Sequence, residues 1–453
     1  MGTGLCEPLF SPHCQSFEFV SDFGFRISDF SAMNSFAYLY ERFPSFVQTF
    51  VHREAAEMVR QGMDPWLVSI RRPDDAGDVA GQINADIFYL PEADTIRAAI
   101  DAQIAEGRAD SSVSRTVAEW RKKPDSNRVF EAAWLGPKLR ERGIKHVHAH
   151  FGGMAARTAW MLKKLFGFTY SFTGHANDIF CDNDFPITNE MLVRGARLIV
   201  TETDFARRWM EGKYPFARGR IVRVFNGAAT DGFAPRSPTG TVPRIVSVGR
   251  SVEKKGFADL IEACRILRDR GRTFECALVG GGPLDTILQT RIERANLGNL
   301  VRLLGPKPQA EVRKLLASSH VFALASVPEA GGGSDNLPTV IVEAMLAEMP
   351  VVATRIAGIP EMITDGETGF LVSPKDPLAL ASAIEKLLAD PLLANRLGAR
   401  ARQFAEQTFA IEKTTGALKH LLVRRCKVRA PAAACAADPD LDRGWLARLF
   451  DRG

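Results

Sequence analysis

At 453 residues, 46% hydrophobic and 25% charged, the chain has the composition of a soluble globular protein long enough for two domains. A net charge of +5 is too small to imply a nucleic-acid partner and fits anionic ligands or a membrane surface. The 7 cysteines, at 6, 14, 181, 264, 276, 426 and 435, form no CxxC pair, which argues against a disulfide framework or zinc site and for a reducing compartment. No run of 18 apolar residues marks a membrane span, and MGTGLCEPLFSPHC lacks the basic and apolar regions of a signal peptide, so a cytoplasmic protein is expected.

Residues 1–32 contain a short near-repeat, FEFVSDF and GFRISDF, without helical period. They read as a docking arm or, by preference, as a disordered extension ahead of a true start at Met33. From 33 to 235, strands alternate with helices. FAYLY (36–40), WLVSI (66–70), HVHAHF (146–151), TYSFTG (169–174) and LIVTE (198–202) read as strands. Residues 49–61 read as a helix with Phe50, Val51, Ala55, Met58 and Val59 on one side. The proline-rich FAPRSPTGTVPR predicts a linker at 236–243. A second series (RIVSVG, ECALVGGG, VRLLG, HVFALAS, PVVAT) fills 244–402, followed by a helix at 403–424 and a mobile, low-complexity tail at 425–453. The pattern predicts an α/β protein of two facing, doubly wound Rossmann-like domains, with ligands at the carboxyl ends of the strands.

The most informative block is SDNLPTVIVEAMLAEMPVVATRIAGIPEMI (334–363). Three glycines lead to Asp335, and Pro338 starts a helix where its missing N–H costs nothing. The free N–H groups of Thr339 and Val340 then form an anion site, and Glu343 one turn on can bond ribose hydroxyls. The plainer reading makes Asp335 a cap and Glu343 a surface residue. In SVGRSVEKKGFADLIEA (247–263) a strand ends at Gly249, and Arg250 and Lys255 flank the loop that follows. Two cations there suit a diphosphate leaving group, against a solvated charged loop; Lys254 is the solvent-facing neighbour. ALVGGGPL (277–284), with Gly281, permits a tight turn but lacks GxGxxG, so no nicotinamide site is supported.

These blocks resemble the retaining, two-Rossmann-domain glycosyltransferases of family 4, over about Phe36 to Arg424. The resemblance implies the GT-B fold, with the C-terminal helix returning towards the N-terminal domain. It implies sugar transfer from a UDP- or GDP-sugar to an acceptor hydroxyl, with anomeric configuration retained and neither metal nor other cofactor. Glu343, Thr339, Val340, Gly249 and Gly281 then hold the nucleotide part. Backbone groups near Lys307 in VRLLGPKP hold the base, and Arg250, Lys255 and Asp335 serve the reacting diphosphate and sugar. Asp335 stands where the family usually has Glu, and Pro338 removes one phosphate-binding N–H.

In the N-terminal half, ERFPSFVQTFVHRE (41–54) resembles the family's first strand–loop–helix, with Ser45, Gln48 and Thr49 facing the cleft. HVHAHFGG (146–153) puts three histidines on one strand face, but successive ones lie about 7 Å apart with no acidic cluster near, so no metal is expected; His150 faces the cleft. FTGHANDIF (172–180) resembles the segment whose histidine lies over the donor sugar, giving His175 that role and leaving Asp178 to orient it or bind the acceptor; a helix-capping histidine is the plain alternative. RVFNGAATDGFAP (223–235) resembles the domain-closing loop, with Asn226 and Gly227 matching and Ala229 replacing an Asp. Basic residues at 115–145, with Trp120 and Trp134 among them, read as a solvated helix surface or as a peripheral contact with an anionic membrane, at the inner face of the plasma membrane. The acceptor is then a sugar or lipid-linked sugar in polysaccharide or glycolipid assembly. The rivals are a phosphorylase or epimerase on the same fold, and a non-catalytic nucleotide-sugar- or polysaccharide-binding regulator.

Overall fold

The computed structural model describes residues 36–45, 48–73, 86–238 and 240–429; the expectations for 1–32 and for the tail beyond 429 lie outside these. Two parallel sheets form the frame. The N-terminal sheet contains β1 (Phe36–Arg42), β2 (Pro65–Arg71), β3 (Ile87–Tyr89), β4 (His146–His150), β5 (Thr169–Gly174), β6 (Leu198–Thr201) and β7 (Ile221–Arg223), in the order β3-β2-β1-β4-β5-β6-β7. The C-terminal sheet contains β8 (Arg244–Val248), β9 (Glu275–Val279), β10 (Val301–Leu303), β11 (Val321–Leu324), β12 (Val351–Thr354) and β13 (Phe370–Val372), in the order β10-β9-β8-β11-β12-β13. Every recorded pair is parallel, so both faces are covered by crossover helices and the strands are buried almost throughout. In each sheet the order reverses between the first and fourth strands of that domain, β1 and β4 or β8 and β11. That reversal opens the crevice where ligands of such sheets bind.

The chain crosses between domains twice, side by side. The described residues of 224–243 after β7 form no helix or strand, and Ala228 N–H bonds Phe409 O at 2.8 Å while Ile411 N–H bonds Ala228 O at 3.0 Å. That pairing corrects the expected single helix at 403–424. The helix Pro391–Thr408 stops there and a new one, Ile411–Cys426, begins. Phe409 O and Ile411 N–H are both taken by Ala228, so neither can serve a continuous helix and the run breaks at Ala410. The second helix returns to the N-terminal domain, as expected. Its Ala417, Leu418, Leu421 and Leu422 join Phe36, Tyr38, Val51 and Met58 in one buried cluster. Among the described residues no helix is long and apolar enough to cross a membrane.

Gly227 sits where both crossings meet. A Cβ on it would lie 2.3 Å from Thr414 Oγ1 and 2.7 Å from Ile411 Cα, which is backbone and cannot yield. Gly227→Ala is expected to cost about 1–3 kcal/mol through overpacking. Gly212→Ala, in the helix Asp204–Lys213 with nothing within 4 Å, should instead stabilise by about 0.5–1 kcal/mol. Urea unfolding midpoints of the two variants check both signs.

Candidate functional site

The C-terminal wall of the cleft is built from the loops after β8, β9 and β11. Close backbone approach explains the glycines. A Cβ on Gly280, whose φ is +126°, would lie 1.9 Å from Gly249 O. One on Gly256, φ +62°, would lie 1.7 Å from Ala325 O. Gly281 O accepts the Ser251 N–H at 3.0 Å, tying the two loops together. The glycines therefore bring the β8 loop hard against β9 and β11 and aim Lys255 across the strand ends. Lys255 Nζ lies 2.8 Å from Asp335 Oδ2, which also accepts from Ser326 Oγ at 2.8 Å. Arg250, by contrast, is exposed, and its side chain makes no hydrogen bond or ion pair among the described residues; only its carbonyl is used, by Val252 N–H at 2.8 Å. The Lys254 side chain likewise has no ion pair there, and only its carbonyl is used, by Val327 N–H.

After the β11 loop, Pro338 precedes the helix Thr339–Leu346, and Thr339 and Val340 open its first turn, half-buried. Glu343, one turn further, is buried; its Oε1 lies 3.2 Å from Arg53 Nη2 and 3.5 Å from Gln309 Nε2. Arg53 belongs to the helix Thr49–Arg60, so a cation from the N-terminal domain reaches the carboxylate expected to hold ribose. Lys307 points to Glu311, 3.4 Å away, at the start of the helix that carries Gln309.

The N-terminal wall differs from expectation in what its side chains contact. Ser45, Gln48 and Thr49 lie half-buried where β1 gives way to the helix Thr49–Arg60, at the switch point. His146 and His148 form no ligand row. They bond Thr169, Ser171 and Thr173 hydroxyls on β5, and burial holds both imidazoles neutral, His146 at about 3 and His148 well below the usual histidine range. His150 and His175 are buried side by side, Nδ1 to Nε2 at 3.5 Å. His175 Nδ1 meets Glu202 Oε1 at 2.5 Å, so both ring nitrogens are engaged by protein. Burial alone would lower the His175 pKa; Glu202, Asp178 and Glu54 outweigh it, and the group sits above the ordinary value.

The carboxylate oxygens of Asp178 accept from the main-chain N–H groups of Gly152 at 2.8 Å, Ala176 at 2.8 Å and His175 at 3.1 Å. The Asp178 carboxylate therefore shapes the turn that presents His175. The basic stretch also divides. Arg128 is buried against Asp125 at 3.0 Å and Glu131 at 2.7 Å, with burial pushing Glu131 up to about 7. Lys138, Arg140 and Arg142 lie at the other end of the helix Asn127–Glu141, over the rings of Trp134, Phe166 and Trp66.

Among the described residues, Asn336, Glu361 and Cys181 also join the walls, besides Arg53–Glu343. Asn336 Nδ2 donates to His175 O at 2.9 Å and Glu202 Oε2 at 3.3 Å, and Thr203 Oγ1 donates to Asn336 Oδ1 at 2.6 Å. Glu361 accepts both the Asp204 and Phe205 N–H groups at 2.7 Å, capping a helix of the opposite domain with charge at its positive end. Cys181 Sγ approaches Gly331 O at 3.4 Å. The structure thus brings Lys255 and Asp335 together and places Glu343 at the mouth of a helix N-terminus, while Arg53, Glu54, Glu202 and Asn336 were not singled out from sequence. A carboxylate closing the buried strand LIVTE was the one available signal for Glu202.

The family model described as glycosyl transferases group 1 matches residues 233–404. The amylovoran biosynthesis glycosyltransferase AmsK of Erwinia amylovora is 40% identical over 144 residues, 32% of this chain and 35% of that one. The putative colanic acid biosynthesis glycosyltransferase WcaL of Escherichia coli K12 is 37% identical over 229 residues, 49% of this chain and 55% of that one. The chain thus spans between about a third and about half of these relatives' length. Anabaena HepE, solved in complex with UDP, superposes with a TM-score of 0.65 at 18% identity, covering 85% of this chain and 99% of that one. The shared fold is GT-B.

Proposed function

We propose, from the match of residues 233–404 to the family model described as glycosyl transferases group 1, that this protein transfers a sugar from a UDP- or GDP-sugar to an acceptor hydroxyl, retaining the anomeric configuration. The observation that carries the reading is the cluster of Lys255, Asp335, the helix start at Thr339 and Glu343, all on the matched domain and all at its sheet's switch point. Arg250 and Lys255 supply the positive charge that a departing diphosphate needs, with the first-turn N–H groups of Thr339 and Val340 beside them. Glu343 holds the ribose once the nucleotide has taken it from Arg53. The acceptor enters past Ser45 and Thr49, and the leaving phosphate oxygen takes its proton, so no side-chain base is required. The two relatives named for amylovoran and colanic acid synthesis support a polysaccharide or glycolipid product, assembled in the cytoplasm.

Glu343 acts on a part of the donor that does not change in the reaction. Glu343→Ala should therefore raise KM more than it lowers kcat. Lys255 meets charge that grows as the sugar departs, so Lys255→Ala should lower kcat by about 10²-fold, whereas Lys254→Ala should do little. Steady-state kinetics on a panel of UDP- and GDP-sugars checks all three. Equal damage from Lys254 and Lys255 variants would overturn the assignment, and nucleotide binding without turnover would favour a regulator.

With two cations at the diphosphate, turnover should survive EDTA; loss restored by magnesium or manganese would refute metal independence. The cations stacked on Trp134, Phe166 and Trp66 support a peripheral membrane contact. Sedimentation with phosphatidylserine vesicles, weakened by salt and by Lys138→Glu/Arg142→Glu, is the expected result.

A further inference from the structure

Four titratable side chains run in line through the N-terminal wall, and the proposed function above gives none of them a role; the family resemblance puts one, His175, over the donor sugar. Glu54 Oε1, on the helix Thr49–Arg60, lies 3.1 Å from His150 Nε2. His150 Nδ1 lies 3.5 Å from His175 Nε2, and His175 Nδ1 lies 2.5 Å from Glu202 Oε1. The two histidines and Glu202 are each at most 5% exposed.

The outer ends are fixed by other donors. Tyr38 OH donates to Glu54 Oε1 at 2.7 Å. Asn226 Nδ2 donates to Glu202 Oε1, and Asn336 Nδ2 to Glu202 Oε2. The orientation of the Asn336 amide is itself set. Ala206 N–H donates to Thr203 Oγ1, so the Thr203 hydroxyl hydrogen is free to go to Asn336 Oδ1. Both carboxylates are therefore acceptors from outside the line.

A proton count follows. Each of the three contacts in the line needs one proton to be a hydrogen bond; with none, two acceptors face each other, and with two, donors collide. Two carboxylates and two fully deprotonated imidazoles carry −4 in all, and three protons leave −1. With the protons on nitrogen, the two imidazoles share one positive charge between two carboxylates.

We propose that Glu54, His150 and Glu202 are positioning residues for His175, forming a three-proton line of net charge −1 that holds its imidazole by both nitrogens and makes the wall beneath the transferring sugar anionic. This rests on the reading that His175 lies beside the donor sugar. An anionic wall opposite the cationic Arg250 and Lys255 matches the charge separation of glycosyl transfer, in which the anomeric carbon becomes positive as the phosphate becomes negative. The upward shift of His175 and the downward shift of Glu54, which its His150 contact drives against burial, both favour the charged forms, whereas burial raises Glu202 against the pull of His175.

The groups facing the pair are Glu54, Tyr38 and Tyr40 on β1, His148 on β4, Asp178 and Glu202. Tyr38 and Tyr40 are pushed well above the ordinary tyrosine range and His148 is held neutral, so these three do not change charge near neutrality. The third proton leaves as pH rises through the raised pKa of His175, so kcat should fall on the alkaline side. Removing a carboxylate should move that fall to lower pH.

The test has two arms on the full chain. In the first, ¹⁵N-imidazole NMR of histidine-labelled protein without substrate follows His150 and His175 from pH 5.5 to 9, assigned with His150→Gln. One proton shared by the two rings at neutral pH is expected, and two neutral rings throughout would overturn the proposal. In the second, kcat and donor KM are measured against pH for wild type, Glu54→Gln and Glu202→Gln. The alkaline limb should move down by about 1–3 pH units with little change in donor KM. A loss by the same factor at every pH would mean a merely structural role and would also overturn it. Because the first arm needs no turnover, a protein that shares the proton but transfers no sugar would refute the transferase reading and leave the line standing.

Discussion

The geometry of the cleft hangs on the side-chain amide of Asn336. It hydrogen-bonds across the domain boundary with the Glu202 carboxylate, the His175 carbonyl and the Thr203 hydroxyl. Because it is buried, each of its polar atoms would be left unpaired if the walls parted without water entering, at about 1–3 kcal/mol apiece. That penalty makes the junction all-or-none. Gly358 packs on the same node, where a Cβ would lie 2.4 Å from Asn336 O, so the backbone has no slack in which to slide.

Around that node the two walls have opposite electrostatic character. The C-terminal wall presents Arg250 free and Lys255 held ready by Asp335, whereas the N-terminal wall presents Glu54, Asp178 and Glu202 around two imidazoles. Buried ion pairs are weak sources of net stability, since desolvation offsets much of their attraction. What they do here is fix orientation. Lys255 cannot swing away while Asp335 holds it, and Asp335 is held in turn by Ser326. Arg53 has a different role, because its partner Glu343 is the carboxylate expected to exchange it for ribose hydroxyls.

The strands legible in the sequence are those buried on both faces, such as FAYLY and LIVT, whose apolar runs need no partner to be recognised. Ile87–Tyr89 escapes because it is a three-residue edge strand, half-buried, with no period to read. The helix at 403–424 reads as continuous because local propensity carries through Phe409 and Ala410, and only pairing with Ala228 breaks it. The same distinction runs through the site. Lys255, Asp335 and Glu343 sit in contiguous motifs with a local chemical logic. Arg53 meets Glu343 across 290 positions, and Asn336 meets Glu202 across 134, so neither pairing leaves a trace in local spacing. His175 was legible as a position but not in its bonding, because the partners that occupy its two nitrogens come from β4 and from the end of β6.

The returning helix Ile411–Cys426 has a consequence for synthesis on the ribosome. The strands of the N-terminal sheet are complete at Arg223, yet part of the cover for one face of that sheet is the last described helix of the chain. At about 5–20 residues per second, the roughly 200 residues between them occupy the ribosome for on the order of 10–40 s. Throughout that interval Phe36, Tyr38 and Leu67 lack part of their native cover. The first domain to emerge is thus the last to be finished, and the nascent chain carries an incompletely covered apolar sheet face for nearly half of its own translation.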